Sequence, residues 1–94
     1  MVITMKKAVI TVIGKDTVGI IAKVSNLLFE NNINILDISQ TIVQGYFNMM
    51  MIVDMDKSEK GFGEVFSDLE SIGDGIGVTI RCQRAEIFEK MHRI

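Results

Sequence analysis

Cysteine and histidine are nearly missing from this 94-residue chain: each occurs once, as Cys82 and His92. A lone thiol cannot close an internal disulfide, and with one imidazole it cannot assemble the ligand set of a structural metal site. An unpaired cysteine fits a reducing compartment. The opening Met1-Val2-Ile3-Thr4-Met5-Lys6-Lys7 is too short for a secretory leader. No apolar run reaches the length needed to cross a bilayer. The cytoplasm is therefore the expected compartment, with no membrane partner. An excess of one charge is missing too: 10 Lys and Arg stand against 12 Asp and Glu, for a net charge of −2. Phosphate-backbone binding rests on clustered cations, so no direct nucleic-acid partner is expected.

What is present is apolar side chain, 48% of the residues, too much for a disordered chain. The length predicts one domain over 1–94, with a core over 7–84 and an appended helix over 85–94. A chain this short buries only about two-thirds of its unfolded surface, so self-association would stabilise it. The organising stretch is Ala8 to Val43. Ala8 to Ile13 is a β-branched run that predicts a central strand, ended by Gly14. Thr17 is the expected helix N-cap. Ile20, Ile21, Val24, Leu27 and Leu28 then form an apolar stripe, with Lys23, Asn26 and Glu30 opposite and Asn31-Asn32 closing the helix.

A second strand is predicted over Ile33–Val43. Strict alternation puts Ile33 and Ile35 with Asp37, Ser39 and Thr41, and Leu36, Ile38 and Ile42 with Asn34 and Gln40. Neither face is cleanly apolar, which predicts a bulge or an edge position. Gln44-Gly45 is a hairpin signal, and Phe47, Met49, Met51, Val53 and Met55 share one face of the third strand. Phe62, Val65, Phe66, Leu69 and Ile72 mark a second helix, with Gly73 as its expected left-handed C-terminal stop. Val78, Ile80 and Cys82 point inward from a fourth strand. Ile87, Phe88, Met91 and Ile94 recur at helical spacing in the tail, a stripe apolar enough to be expected to dock on the open sheet face or on a second subunit. The order βαββαβ predicts an α+β, ferredoxin-like fold: one antiparallel four-stranded sheet in order 4-1-3-2 with both helices on one face.

The segment Gly14-Lys15-Asp16-Thr17-Val18-Gly19-Ile20, followed fifteen residues after Gly19 by Asn34-Ile35, resembles the ACT domain, the small regulatory module that binds amino acids in metabolic enzymes and some transcriptional regulators. The resemblance spans roughly Lys7 to Arg84 and is nearest to short free-standing members, including relatives of the glycine cleavage system transcriptional repressor. It implies an amino acid or related metabolite as ligand, a homodimer with sites at its seam, and ligand contacts from Asp16 in the loop and Asn34 at the second strand. Val18 stands where the family commonly has proline, which leaves the helix start less rigid. Asp16 stands where an amide or other polar residue can serve.

On the residues themselves, the amides of Val18, Gly19 and Ile20 at the helix start suit a carboxylate, with Lys15 adding positive potential. Asp16 suits an ammonium, and the Asn34 amide can bond either group from the second strand. Gly14, Thr17, Ile35 and Asp37 complete the candidate lining; Asp37 reads equally well as an edge-strand charge that opposes aggregation. Gly14 and Gly19 have the spacing of a phosphate-binding loop, but Ile20 and Ile21 stand where Lys and Ser or Thr are required. Gln44-Gly45-Tyr46-Phe47 echoes an RNA-binding strand without its further aromatics. Val43-Gln44-Gly45-Tyr46 echoes the acylphosphatase loop without its arginine. Methionines 49, 50, 51 and 55 read as core filling rather than a soft-metal site, and Cys82 as a small hydrophobe. No nucleophile–base pair is visible, so a non-catalytic domain without a cofactor is expected. It would sense a small metabolite, or, as the alternative, serve as a dimerising adaptor toward a regulatory protein partner.

Overall fold

The computed structural model describes residues 6–15 and 19–85. The elements follow in the order β1 (Lys7–Lys15), α1 (Ile20–Glu30), β2 (Asn34–Val43), β3 (Tyr46–Asp54), α2 (Phe62–Ile76) and β4 (Thr79–Arg84). All neighbouring strands are antiparallel, and the sheet order β2-β3-β1-β4 reads 4-1-3-2 from the other edge. The tail helix expected over 85–94 lies outside the described residues beyond Ala85.

One face of the sheet carries the core. Ala8, Ile10 and Val12 of β1 and Phe47, Met49, Met51 and Val53 of β3 are buried there beneath Ile20, Val24 and Leu28 of α1 and Val65 and Leu69 of α2. Burying a side chain of this size is worth about 1.5–3 kcal/mol. Period two on the strands and period 3.6 on the helices thus meet in one layer. Met50 departs from the expected core role: strand alternation puts it on the opposite face, 39% exposed.

Two glycines that read as punctuation are packing residues instead. Gly14 does not end β1, which runs on to Lys15. A Cβ at Gly14 would lie 2.6 Å from Val78 Cγ1, so the glycine makes room for the residue that leads into β4. Gly73 does not end α2 either. It sits buried inside the helix, where a Cβ would meet the Val78 carbonyl oxygen at 2.8 Å and Ile80 Cγ1 at 2.9 Å. The helix stops one turn later, at Gly77 in the left-handed conformation. The Gly73 carbonyl accepts from the Gly77 and Val78 amides at 2.8 and 2.9 Å, which ties the helix end to the start of β4.

β2 is an edge strand and also carries a bulge. Its register to β3 slips between Ile35 and Asp37, leaving Leu36 as the extra residue. The slip rearranges the expected faces. Ile35 pairs with Val53, Ile38 with Met51, Gln40 with Met49 and Ile42 with Phe47, so all four lie on the helix-bearing side. Asp37, Ser39 and Thr41 pair with Ile52, Met50 and Asn48 on the open side. The adjacent apolar pair Ile35-Leu36 before Asp37 is the trace of this bulge in the sequence.

A candidate ligand site at the first helix start

β1 delivers the chain to the end of the sheet where the β2–β3 hairpin turns. Lys15, its last residue, pairs with Tyr46 and is exposed. Asp16, Thr17 and Val18 lie outside the described residues. The chain enters α1 at Gly19, with φ 93°. The N-cap is therefore Gly19 and not the expected Thr17, because a backbone turn in the left-handed region is open to glycine at little cost. Glycine supplies no capping side chain, and the first turn holds no acidic residue. The leading amides of a helix have no intrahelical partner and carry the positive end of its dipole. Among the described residues nothing lies within 4 Å of where a Gly19 Cβ would stand. Among the described residues, then, nothing stands beside Gly19 at this positive helix end.

The Ile20 side chain is in the core, which leaves only its backbone amide at the helix start. Gly14 faces Val78 and serves the packing. Asn34 sits elsewhere: it pairs with Asp54, which pairs with Lys7 at the beginning of β1. Gly14 is seven residues along the same strand, so Asn34 and the loop are separated by roughly 23 Å along the sheet, at about 3.3 Å per residue. One chain does not bring them together. Ile35 shares that far end. Asp37 is exposed on the open face, and its carboxylate accepts the Ile38 amide at 2.9 Å, as an edge-guarding charge would.

The β2 edge and the neighbouring helix α1 carry exposed apolar side chains. On α1, Ile21 is exposed and Phe29 is 80% exposed. On β2, Ile35, Leu36, Ile38 and Ile42 are all exposed, Ile42 to 58%.

Cys82 is half-buried beside the core. Burial is the main cause that pushes its pKa from 9.0 up to about 12, with Glu70 adding to it. The thiol is therefore protonated at neutral pH. A disulfide-exchange reagent at pH 8 should react with the folded protein more than about tenfold slower than with the urea-unfolded chain. Comparable rates would place the thiol in solvent. The folded state holds this proton more tightly than the unfolded one, so the linked stability is complete below pH 9 and declines as the pH rises toward 12.

Among the described residues no three His, Cys, Asp or Glu side chains gather into a metal site, and no helix is long and apolar enough to cross a membrane. The fold is that of a small ferredoxin-like module. A family profile for the ACT domain matches residues 6–83, and the chain belongs to that family. A UPF0237 protein of Bifidobacterium longum is 64% identical over 90 residues, covering 96% of this chain and all of its own length. Among solved structures, an ACT domain protein from Streptococcus pneumoniae superposes with a TM-score of 0.78 at 43% identity, over 92% of this chain and 97% of that one. A proposed glycine cleavage system transcriptional repressor shares the fold, with a TM-score of 0.75 at 24% identity over 85% of this chain and 46% of that one.

Proposed function

We propose that this protein is a non-catalytic regulatory domain that binds an amino acid, or a small metabolite of similar charge, at the seam of a homodimer. The observation that carries the reading is the start of α1 at Gly19: a left-handed entry, no capping side chain, no acid in the first turn and free space beside the glycine. A ligand carboxylate satisfies the Gly19 and Ile20 amides there, as anions do at open helix starts. Lys15 adds positive potential and Asp16 accepts from the ammonium. The distance of Asn34 from this loop supports a site completed by a second chain. If β2 pairs antiparallel with β2 of another copy, the far end of the partner's strand reaches the hairpin end where the loop lies.

The test is thermal denaturation against a panel of free amino acids. A ligand that binds only the folded state stabilises it by RT ln(1 + [L]/Kd), about 2.7 kcal/mol at a hundredfold excess over Kd. One class of amino acid should raise the midpoint with this concentration dependence. Asp16→Ala should then weaken binding by about 1.5–3 kcal/mol, the range for a hydrogen bond to a charged group, with little loss of fold. Gly19→Val should abolish binding, because a β-branched residue resists a φ of 93° and fills the open space. Unchanged affinity in both variants would place the site elsewhere. A panel without any response, from a protein that still dimerises, would favour the second reading: an adaptor whose apolar β2 edge serves assembly alone.

A further inference from the structure

The sheet face opposite the helices is unevenly exposed. Strand alternation puts Val9, Thr11 and Ile13 of β1 there, since Ala8, Ile10 and Val12 are in the core. Along this row exposure rises: Val9 is 4% exposed, Thr11 is half-buried and Ile13 is 44% exposed. Val9 stands between Ile52 and Gln83, and Ile13 between Asn48 and Thr79. Such neighbours shield the sides of a side chain that rises from a sheet, but they leave its tip bare. Both helices pack on the other face and cannot supply the cover. Ala85, the residue after β4, is also buried, and like Val9 it stands outside the core cluster. Arg84 pairs with Ala8, so the chain leaves the sheet beside Val9.

We infer that residues 86–94 of the same chain lie over this end of the face, as a helix that crosses the strands from the β4 edge over Val9 toward Ile52. Position, length and pattern agree on this occupant. The chain departs at Ala85, beside the covered end of the face and not the exposed one. Nine helical residues extend about 13.5 Å, and the step from β4 across β1 to β3 is about 10 Å. Ile87, Met91 and Ile94 fall on one side at helical spacing, with Phe88 beside them and Glu89 and Arg93 opposite. The direction follows from Ile13. It stands about 13 Å from Val9 along β1, beyond the half-width of about 5–6 Å of a helix laid across the strands. A helix running along β1 would cover Ile13 as well.

Residues 1–5 are the competing segment, and the backbone at Lys6 argues against them. The Lys6 carbonyl accepts from the Met55 amide at 2.6 Å, and the Lys6 amide donates to the Asp56 carboxylate at 2.7 Å. The line of β1 therefore continues past the end of the sheet, away from Val9. Five residues from Met1 to Met5 also hold no apolar stripe of comparable length.

Thiol labelling tests this docking in the full chain. In a Cys82→Ala background, Val9→Cys should react with a disulfide-exchange reagent at least about tenfold slower than Ile13→Cys. Adding Ile87→Asp with Met91→Asp should bring the two rates within about twofold of each other by speeding Val9→Cys alone. Circular dichroism and the melting curve establish that each variant is folded. If the aspartate pair does not fold, Phe88→Ala and Met91→Ala take its place singly, and each should speed Val9→Cys about threefold or more. A Val9→Cys thiol that reacts as fast as Ile13→Cys without any tail substitution overturns the inference, as does one that stays slow in the folded tail variants. Val2→Asp with Ile3→Asp releasing the thiol where the tail variants do not would assign the cover to residues 1–5. Protection that disappears on dilution would assign the tail to a second copy, and docking within the chain would fall.

Discussion

Ile38→Lys combined with Ile42→Lys should give a folded monomer that no longer responds to amino acids. Neither side chain belongs to the core of the single chain: Ile38 is 44% exposed and Ile42 58%. The fold therefore has little to lose, and the melting curve of the variant at high dilution should match that of the parent. The dimer has much to lose. Each isoleucine is an apolar group of about 1.5–3 kcal/mol burial value, and the change adds two cations per chain to the β2 edge of the proposed dimer. Association entropy takes back part of that burial value, so the loss will be smaller than the sum over side chains. A rise of at least about a thousandfold in the dimer dissociation constant is expected, some 4 kcal/mol. Analytical ultracentrifugation reads the change directly. A variant that still sediments as a dimer at tens of micromolar would move the interface away from β2, and a ligand response retained by a monomer would show a site complete within one chain.

Gly73→Val should be strongly destabilising. The Cβ alone would stand 2.8 Å from the Val78 carbonyl oxygen and 2.9 Å from Ile80 Cγ1. The first of these is backbone at the entry to β4, and it already accepts its place from the hydrogen bonds that end α2. Neither group can rotate away, so α2 must lift off the sheet edge where Val65 and Leu69 are buried. Overpacking of this sort costs about 1–3 kcal/mol, and valine adds two methyl groups beyond the clash. For a domain of this size each kilocalorie lowers the midpoint by about 4–8 °C, so a fall of 10 °C or more is expected by calorimetry. Gly75, one turn-half further along the same helix, is exposed and has nothing within 4 Å of a Cβ. Gly75→Ala should raise stability by about 0.5–1 kcal/mol through helix propensity. Equal effects at the two positions would refute the packing role of Gly73.

These contrasts mark how far the one-dimensional pattern reaches. Period-two and period-3.6 spacing determined by itself that this chain is βαββαβ, that Ile20, Val24 and Leu28 face a sheet, and that Phe47, Met49, Met51 and Val53 share its buried side, because both periods follow from backbone geometry alone. Gln44-Gly45 was equally legible, since few residue pairs accept two successive positive φ angles. The family motif around Gly14 to Ile20 was legible as a string of residues. What a glycine does was not. Gly14, Gly19, Gly73 and Gly77 look alike in sequence, and only the tertiary structure separates the two that admit a neighbour, Gly14 and Gly73, from the two that turn the chain, Gly19 and Gly77. The bulge at Leu36 was decided the same way. A single extra residue reverses which side of the sheet every later side chain occupies, so the faces of β2 depend on its hydrogen bonds to β3 and not on the spacing of its apolar residues. The separation of Asn34 from the helix start is also tertiary: two positions fifteen residues apart stand at opposite ends of the sheet because α1 carries the chain back, so that β2 begins level with the beginning of β1 and runs the same way.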